Sequence, residues 1–482
     1  MRSKIAIFLF SLSGISCSFT QVPPPEAIEP IPSERQLAWH DLEQYAFVHF
    51  TTNTFTEKEW GYGDEKPDIF NPTEMNTDQW VQTIKDAGLK GIVLTCKHHD
   101  GFCLWPSEYT DHSVKSSQWK DGKGDVVKDV RESCTKYDLK FGVYLSPWDR
   151  NRADYATPSY IEYYRNQLRE LFGNYGPVFE MWFDGANGGD GFYGGANEKR
   201  RIGGATYYDW PNTIKLVREM EPNIVFFSDA GPDIRWCGNE KGYVGETNWC
   251  MISTDTIYAG KPRINALLNQ GSEDGKQWIP AEVDVSIRLG WFYHPEEDSL
   301  VKTPEQLFDI YLSSVGRGAN LILNIPPDQR GLLHENDVKS LQGWKKLVDE
   351  AFATNLALGC KTKASAKRGR SVQFAASNVV DGDKETYWAT DDDILQGSLE
   401  FDFGKSQLVK YVLLQEYIRL GQRVRAFNVQ IWKDNSWQEV DKATTIGYKR
   451  IIRLENPVET QKIRINIEDS RACPLISNIE IY

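Results

Sequence analysis

The chain has 482 residues, of which 40% are hydrophobic and 26% charged, and its formal net charge is −13. This length exceeds one ordinary hydrophobic core, so two domains are expected, and the composition excludes a long disordered tail. The negative charge argues against nucleic acid as a partner, because phosphates would be repelled. The 16 Trp and 22 Tyr fit either a carbohydrate-binding protein, whose rings stack on sugars, or large packed cores.

The first residues have the pattern of an export signal. Two basic residues precede the apolar run Ile5–Ile15, which is too short to cross a bilayer, and small residues follow it. We therefore predict a signal peptide over residues 1–20 and export to a bacterial periplasm or cell surface. Cys17 is a candidate lipid-attachment site, although Gly14 stands where a larger aliphatic residue is usual. No later segment of the sequence reaches transmembrane length.

Residues 35–355 alternate between short apolar runs and amphipathic stretches. The runs are typical of buried strands, whereas stretches such as Thr77–Ala87 place apolar residues on one helical face. This alternation predicts a parallel sheet, and the number of units suits a (β/α)8 barrel. Seven strands can be named from the sequence, but the eighth cannot. The predicted strands are Tyr45–Phe50, Gly91–Thr95, Lys140–Leu145, Val178–Phe183, Asn223–Asp229, Ile279–Val285 and Asn320–Ile325.

Ionisable side chains follow several of these strands. His98, His99 and Asp100 follow the second strand, and Asp184 follows the fourth. Because the active site of a parallel barrel lies at the carboxyl ends of its strands, we expect these side chains to share one pocket.

Residues 356–482 predict a different fold, an all-β antiparallel jelly-roll sandwich, because helical periodicity stops and turn signals separate short strands. The segment Asn378–Trp388 resembles the start of discoidin-like (F5/8 type C) modules, a fold shared by many carbohydrate-binding modules. The resemblance implies a loop that could hold structural calcium, with Asp381 and Asp383 as candidate ligands. A solvated acidic turn is the alternative.

Paired carboxyl groups are the main candidates for catalysis. Hydrolysis of a glycoside with retention of configuration needs one carboxylate that attacks and one carboxylic acid that protonates the leaving oxygen. Asp184 suits the first role, because strand alternation turns it to the same face as Trp182. The second group should come from a loop. Glu240, Glu246 and Glu282 are candidates, and spacing alone does not rank them.

Several separated motifs resemble the α-L-fucosidases of glycoside hydrolase family 29. They are Phe47-Val-His49, the run Val93 to Trp105 that includes His98-His99, and Trp182-Phe-Asp184-Gly. The resemblance implies that Asp184 is the nucleophile and that the histidines bind fucose hydroxyls. It also places the family's loop arginine, after the fifth strand, at Arg235. The implied mechanism needs Asp184 ionised, and either a nearby Arg235 or a histidine hydrogen bond would keep the pKa of Asp184 low. The substrate-binding candidates are Phe47, His49, Trp60, His98, His99, Tyr144, Trp182, Arg235, Glu282 and Trp291.

The acid/base residue varies within that family. The run Arg235-Trp-Cys-Gly-Asn-Glu240 is similar to the motif of the subfamily that cleaves branched α-1,3/1,4-linked fucose, which favours Glu240 over Glu246 and Glu282. The predicted partners are fucosylated oligosaccharides, such as Lewis-type or N-glycan structures, and no cofactor or active-site metal is required. The alternatives are a broad α-L-fucosidase that also cleaves α-1,2 links, a glycosidase for another sugar, a metal-dependent hydrolase and a non-catalytic glycan-binding protein.

Overall fold

The computed structural model describes residues 22–482. The predicted signal peptide and Cys17 lie outside the described residues. Among the helices of the described part, none is long and apolar enough to cross a membrane.

The first domain is a closed barrel of eight parallel strands, which confirms the predicted fold class. Around the barrel the strand order is β1-β8-β7-β6-β5-β4-β3-β2, so neighbours in sequence are neighbours in space and the last strand closes on the first. The strands are short and almost entirely buried, as expected of a barrel covered by helices. They are β1 Gln44–Val48, β2 Gly91–Lys97, β3 Lys140–Leu145, β4 Glu180–Trp182, β5 Val225–Ser228, β6 Ile234–Trp236, β7 Ala281–Ser286 and β8 Asn320–Asn324.

Amphipathic helices pack around the strands. In the helix Thr77–Asp86, Trp80, Val81 and Ile84 are buried against the barrel, and the Asn76 side chain caps the amino terminus by accepting a hydrogen bond from the Gln79 N–H. The α-helices are α1 Glu34–His40, α2 Thr52–Thr56, α3 Thr77–Asp86, α4 Val126–Tyr137, α5 Pro158–Tyr175, α6 Trp210–Met220, α7 Asn265–Gln270, α8 Pro304–Ser313 and α9 Glu335–Ala351.

The strand that the sequence did not reveal is β6. It has three residues and follows β5 after a five-residue connection, 229–233, that contains no helix. No helix separates β5 from β6, and β6 is shorter than a typical strand, so neither the strand–helix alternation nor the strand length could reveal it. Arg235 and Trp236 were therefore predicted to lie in a loop, and the structure corrects this by placing them within the barrel wall.

The second domain is an antiparallel β domain, again as the fold class predicted. Its seven strands form one connected sheet, in which the longest pair, β11 and β14, is broken by register shifts. These shifts explain why the sequence predicts two short strands in each place, Ser398–Phe403 and Val409–Glu416 within β11 and Arg450–Leu454 and Lys462–Ile467 within β14. The strands are β9 Lys361–Ala364, β10 Trp388–Ala389, β11 Gly397–Glu416, β12 Val424–Lys433, β13 Ser436–Ala443, β14 Arg450–Ser470 and β15 Leu475–Ile481.

The predicted calcium loop forms a hydrogen-bonded turn. The Asp381 carboxylate accepts from the Asp383 N–H (2.8 Å) and the Thr386 hydroxyl (2.7 Å), and Asp383 accepts from the Glu385 N–H (2.9 Å). Within residues 22–482 no cluster of three or more His, Cys, Asp or Glu side chains is placed to hold a metal ion. Calcium binding by Asp381 and Asp383 stays a prediction.

The two domains share a polar interface. Gln422 donates to the backbone carbonyl of Asn248 (3.0 Å) and accepts from the Cys250 N–H (2.8 Å), which ties the second domain to a loop between β6 and β7. Lys449 and Glu43 form an ion pair of 2.5 Å, and both side chains are largely buried. Because Glu43 immediately precedes β1, the second domain contacts the amino-terminal side of the barrel as well as a loop.

Candidate active site

Nearly all of the predicted site residues line one pocket of about 490 Å³. It lies at the carboxyl ends of the barrel strands, where the connecting loops converge. The predicted residues that line it are Phe47, His49, Trp60, His98, His99, Tyr144, Trp182, Asp184, Glu240 and Trp291, and Glu59, Ala186 and Asp284 line it as well.

Asp184 lies two residues beyond the end of β4 and is held by two donors. The Ala186 N–H donates to Oδ1 (2.7 Å), and the Tyr144 hydroxyl donates to Oδ2 (3.0 Å). Nε2 of His99 is 3.9 Å from Oδ2. Burial raises the pKa of Asp184 above its usual value, and the two hydrogen bonds oppose this only in part. The expectation that its pKa would be kept low is therefore wrong.

Arg235 does not reach the pocket. Because β6 is a strand, its side chains alternate, and Arg235 points away from the barrel interior while Trp236 points inward. The fully buried guanidinium donates to the carbonyl oxygens of Leu268 (2.8 Å) and Trp249 (3.0 Å) and to the Asn248 side chain (3.1 Å). Arg235 therefore organises the loops outside the strand, and the prediction that it is a substrate-binding residue near Asp184 is wrong.

The hydrogen bonds of His99 determine which of its nitrogens carries the proton. Nδ1 lies 2.7 Å from the Ser146 hydroxyl, and that hydroxyl gives its own proton to the Trp148 carbonyl (2.6 Å). Nδ1 must then be the donor, which leaves Nε2 as an acceptor. Burial lowers the pKa of His99 to about 3, so the ring is neutral.

His49 is fixed in the same way from another strand. Its Nδ1 lies 2.8 Å from Oδ1 of Asn324, whose amide nitrogen donates to the Ser286 hydroxyl (2.9 Å) and the Trp291 carbonyl (2.8 Å). Those two bonds orient the amide, so Nδ1 of His49 donates and Nε2 is an acceptor. Burial also lowers the pKa of His49 to about 3. The pocket is thus lined by two neutral imidazoles that can accept hydrogen bonds from hydroxyl groups.

The adjacent pair His98-His99 lines the pocket with both rings. Strand alternation would turn neighbours to opposite sides, but β2 ends at Lys97, with a register shift between Thr95 and Lys97. Past that point the chain bends, and the two ring centroids lie 4.1 Å apart.

Glu240 is the only one of the three predicted acid/base candidates that lines the pocket. It lies in the loop after β6, and Nε1 of Trp291 donates to its Oε2 (3.3 Å). Burial raises its pKa, the Trp291 hydrogen bond opposes that shift, and the charges of Asp184 and Glu59 raise the pKa further. Glu240 is therefore biased toward the protonated form that a general acid requires.

The other two candidates lie elsewhere. The Glu246 side chain is 77% exposed and pairs with Arg317 (3.5 Å) beside the second domain. Glu282 is fully buried inside the barrel, where it accepts a hydrogen bond from Nε1 of Trp182 (2.8 Å). Neither lines the pocket, so neither is placed to protonate a leaving group, and the prediction that Glu282 contacts the substrate is wrong.

Two acidic residues in the pocket were missed as candidates. Glu59 accepts from the Trp291 N–H (2.7 Å) and pairs with Nε2 of His294 (2.7 Å). Asp284 accepts from Nε1 of Trp236 (2.8 Å), and burial raises its pKa well above the usual value. The alternation of inward side chains along β7 could have indicated Asp284, whereas Glu59 lies in a loop without such a pattern.

Comparison with known proteins agrees with this geometry. The family model for α-L-fucosidase matches residues 27–349, and that for the F5/8 type C domain matches residues 361–479. "Alpha-L-fucosidase 1" of Arabidopsis thaliana is 41% identical over 492 aligned residues, which cover 100% of this chain and 94% of the relative.

Solved structures are similar over nearly the whole chain. A glycoside hydrolase 29 family member from an unknown rumen bacterium has a TM-score of 0.85 and 42% identity over 95% of this chain and 78% of its own. A GH29 fucosidase of Ruminococcus gnavus in complex with fucose has a TM-score of 0.86 and 34% identity over 96% of each chain. The chain therefore belongs to the α-L-fucosidases of glycoside hydrolase family 29, with an F5/8 type C domain after the catalytic barrel.

Proposed function

We propose that the enzyme releases terminal α-L-fucose by double displacement with retention of configuration. Asp184 is the nucleophile and Glu240 the acid/base residue in this proposal. The observation that carries it is the presence of both carboxyl groups in one pocket with different partners. Asp184 accepts hydrogen bonds from Tyr144 and Ala186, whereas Glu240 has a single long bond from Trp291 and a raised pKa.

The proposed reaction has two steps that use only side chains of the protein. In the first, a carboxylate oxygen of Asp184 attacks the anomeric carbon, the bond to the glycosidic oxygen breaks, and Glu240 gives its proton to that oxygen. In the second, Glu240 takes a proton from water, the water oxygen attacks the anomeric carbon, and the ester to Asp184 breaks. Two inversions restore the α configuration, and no cofactor is needed.

The neutral histidines suit the binding of sugar hydroxyls. Nε2 of His49 and Nε2 of His99 are acceptors, and a fucose hydroxyl could donate to each. Aromatic rings provide the apolar part of the pocket: Phe47 lies 5.1 Å from Trp182 and 6.2 Å from Trp291, centroid to centroid. Such rings can pack against a methyl group and the apolar face of a sugar.

We further propose that the fucose is α-1,3- or α-1,4-linked to N-acetylglucosamine in Lewis-type or N-glycan structures. The run from Arg235 to Glu240 supports this linkage, since its last residue lines the pocket. Trp60 also lines the pocket and is 56% exposed, so its ring face is available to the sugar to which the fucose is attached. A broad enzyme that also cleaves α-1,2 links is the second candidate.

The first test measures fucose release by chromatography. The purified enzyme is incubated with Lewis-type trisaccharides and with 2′-fucosyllactose, beside Asp184→Asn and Glu240→Gln. We expect release from the trisaccharides alone and loss of that release in both variants. Equal release from 2′-fucosyllactose would replace the linkage proposal by the broad enzyme, and full activity of Glu240→Gln would refute its role.

The second test assigns the two carboxyl groups with azide and an aryl fucoside. In Asp184→Ala azide should displace the aryl group directly and give the β-fucosyl azide. In Glu240→Ala azide should attack the covalent intermediate and give the α-fucosyl azide. Proton NMR distinguishes the two products, and the same anomer from both variants would contradict the assignment.

Export to the periplasm or cell surface, with or without lipid attachment at Cys17, is also part of the proposal. It rests on the apolar run Ile5–Ile15. Fractionation of the native host, with mass spectrometry of the mature amino terminus, would test both points.

A further inference from the structure

Two carboxyl groups below the pocket have no role in the proposed reaction. Glu180 on β4 and Glu282 on β7 are both fully buried in the barrel interior. Because side chains alternate along a strand, each shares the inward face with a carboxyl group that lines the pocket, Asp184 and Asp284 respectively. Carboxyl groups at such depth are rare in proteins unless they have partners.

Glu282 has two such partners, one of which belongs to the pocket. Nε1 of Trp182 donates to Oε1 (2.8 Å), and the Tyr45 hydroxyl donates to Oε2. Tyr45 in turn accepts from Nε1 of Trp39 (2.8 Å). Glu282 therefore lies between Tyr45 and Trp182 in a short chain of hydrogen bonds that leads from the base of the barrel to the pocket.

Glu180 differs from its neighbour. Within the described residues neither of its oxygens has a hydrogen-bond partner. Burial and the charge of Glu282 raise the pKa of Glu180 well above its usual value, whereas burial raises the pKa of Glu282 to about 7. A negative charge on Glu282 is stabilised by the donors from Tyr45 and Trp182.

The Trp182 indole lines the pocket next to groups that the reaction uses. It stacks on Phe227, with centroids 3.9 Å apart and planes at 10°, and its centroid is 5.5 Å from that of Tyr144. Tyr144 is the residue whose hydroxyl donates to Asp184. A rotation of the indole would therefore disturb both the pocket surface and the donor on the nucleophile.

We propose that Glu282 is a positioning residue for the fucosidase reaction: its carboxyl group fixes the Trp182 indole in the pocket without touching the substrate. Stacking on Phe227 sets the plane of the ring, and the hydrogen bond to Glu282 sets its rotation within that plane. Without the acceptor, the indole N–H would remain buried and unpaired, which favours a turned ring.

A double-mutant cycle in kcat/KM tests this role. Glu282→Leu should lower kcat/KM by roughly tenfold or more, the size expected when a buried donor loses its acceptor. In a Trp182→Phe background, which has no indole N–H, the same change should have little further effect. Glu282→Gln should retain most of the activity that Glu282→Leu loses, because its amide oxygen can still accept the hydrogen bond from the Trp182 indole. Glu246→Gln is the matched control, since that carboxyl group is 77% exposed and does not line the pocket.

A spectroscopic measurement covers the case in which the leucine variant does not fold. In protein labelled with 15N-tryptophan, Trp182→Phe identifies the indole signal of Trp182. Glu282→Gln should shift that N–H proton upfield, because a neutral amide oxygen is a weaker acceptor than a carboxylate. Equal losses from Glu282→Leu in both backgrounds, or an indole signal unchanged by Glu282→Gln, would overturn the proposal. In either case the unmodified enzyme would still release fucose. A failure of the proposed function would instead appear as a lack of fucose release by the unmodified enzyme.

Discussion

Removal of the Tyr144 hydroxyl should move the acid limb of the pH–rate profile to higher pH. That hydroxyl donates to Oδ2 of Asp184 (3.0 Å), and within the described residues the Ala186 N–H is the other donor to this carboxylate. A hydrogen bond to a charged group contributes about 1.5–3 kcal/mol, and one pKa unit corresponds to about 1.4 kcal/mol. In Tyr144→Phe the pKa of Asp184, already raised by burial, should therefore rise further.

The sign follows from the need for ionised Asp184. A higher pKa leaves more of the proposed nucleophile protonated at a given acidic pH, so kcat/KM for an aryl fucoside should fall about 10- to 100-fold on the acid limb and less above it. Tyr164→Phe is the matched control, because that buried hydroxyl donates to the Leu145 carbonyl (2.8 Å) and does not line the pocket. An unmoved acid limb in Tyr144→Phe, or an equal shift in Tyr164→Phe, would refute the reasoning.

Two further changes test the pocket and the domain interface. Asp284→Asn should keep most of kcat/KM, because burial favours the neutral acid and the amide can still accept from Trp236, whereas Asp284→Leu should lose roughly tenfold. Equal losses from the two changes would contradict this. Lys449→Met should lower the free energy of unfolding in urea by about 3–5 kcal/mol, because it leaves Glu43 largely buried without its partner. Arg453→Met, which breaks an exposed pair with Asp309, should lower it by at most about 1 kcal/mol, and similar effects of the two changes would argue against a buried interface pair.

The barrel could be predicted because its strands and helices obey simple periodicities. The exception, β6, has only three residues, and a buried arginine is its centre. In a sequence, an arginine beside a tryptophan at the end of an apolar run indicates a loop or a site. The carbonyl groups that satisfy the guanidinium come from residues 14 and 33 positions away, so no local pattern could show that Arg235 is structural.

The sequence predicted most of the residues that belong to the site, but not how deep in the barrel each side chain lies. Alternation correctly places Glu282 and Asp284 on the inward face of β7, yet only Asp284 lines the pocket. How deep an inward side chain lies depends on the stagger of neighbouring strands, which is a property of the closed barrel and not of one strand. The same limit applies to Glu246, whose loop contacts the second domain instead of the pocket.

The electrostatics of the pocket narrow the class of ligand. None of the residues that line it, all within the described range, is Lys or Arg. Burial holds His49 and His99 neutral, and it raises the pKa values of Asp184, Glu240 and Asp284. An anionic sugar would bring its charge beside these acidic groups with no cation to compensate it, and desolvation would add to the penalty. A neutral sugar instead supplies hydroxyl donors for the imidazole nitrogens and an apolar face for the aromatic rings. A raised pKa at the proposed nucleophile is therefore the consequence of a pocket built for an uncharged ligand, and the hydrogen bonds from the Ala186 N–H and the Tyr144 hydroxyl favour the ionised form of Asp184 within it.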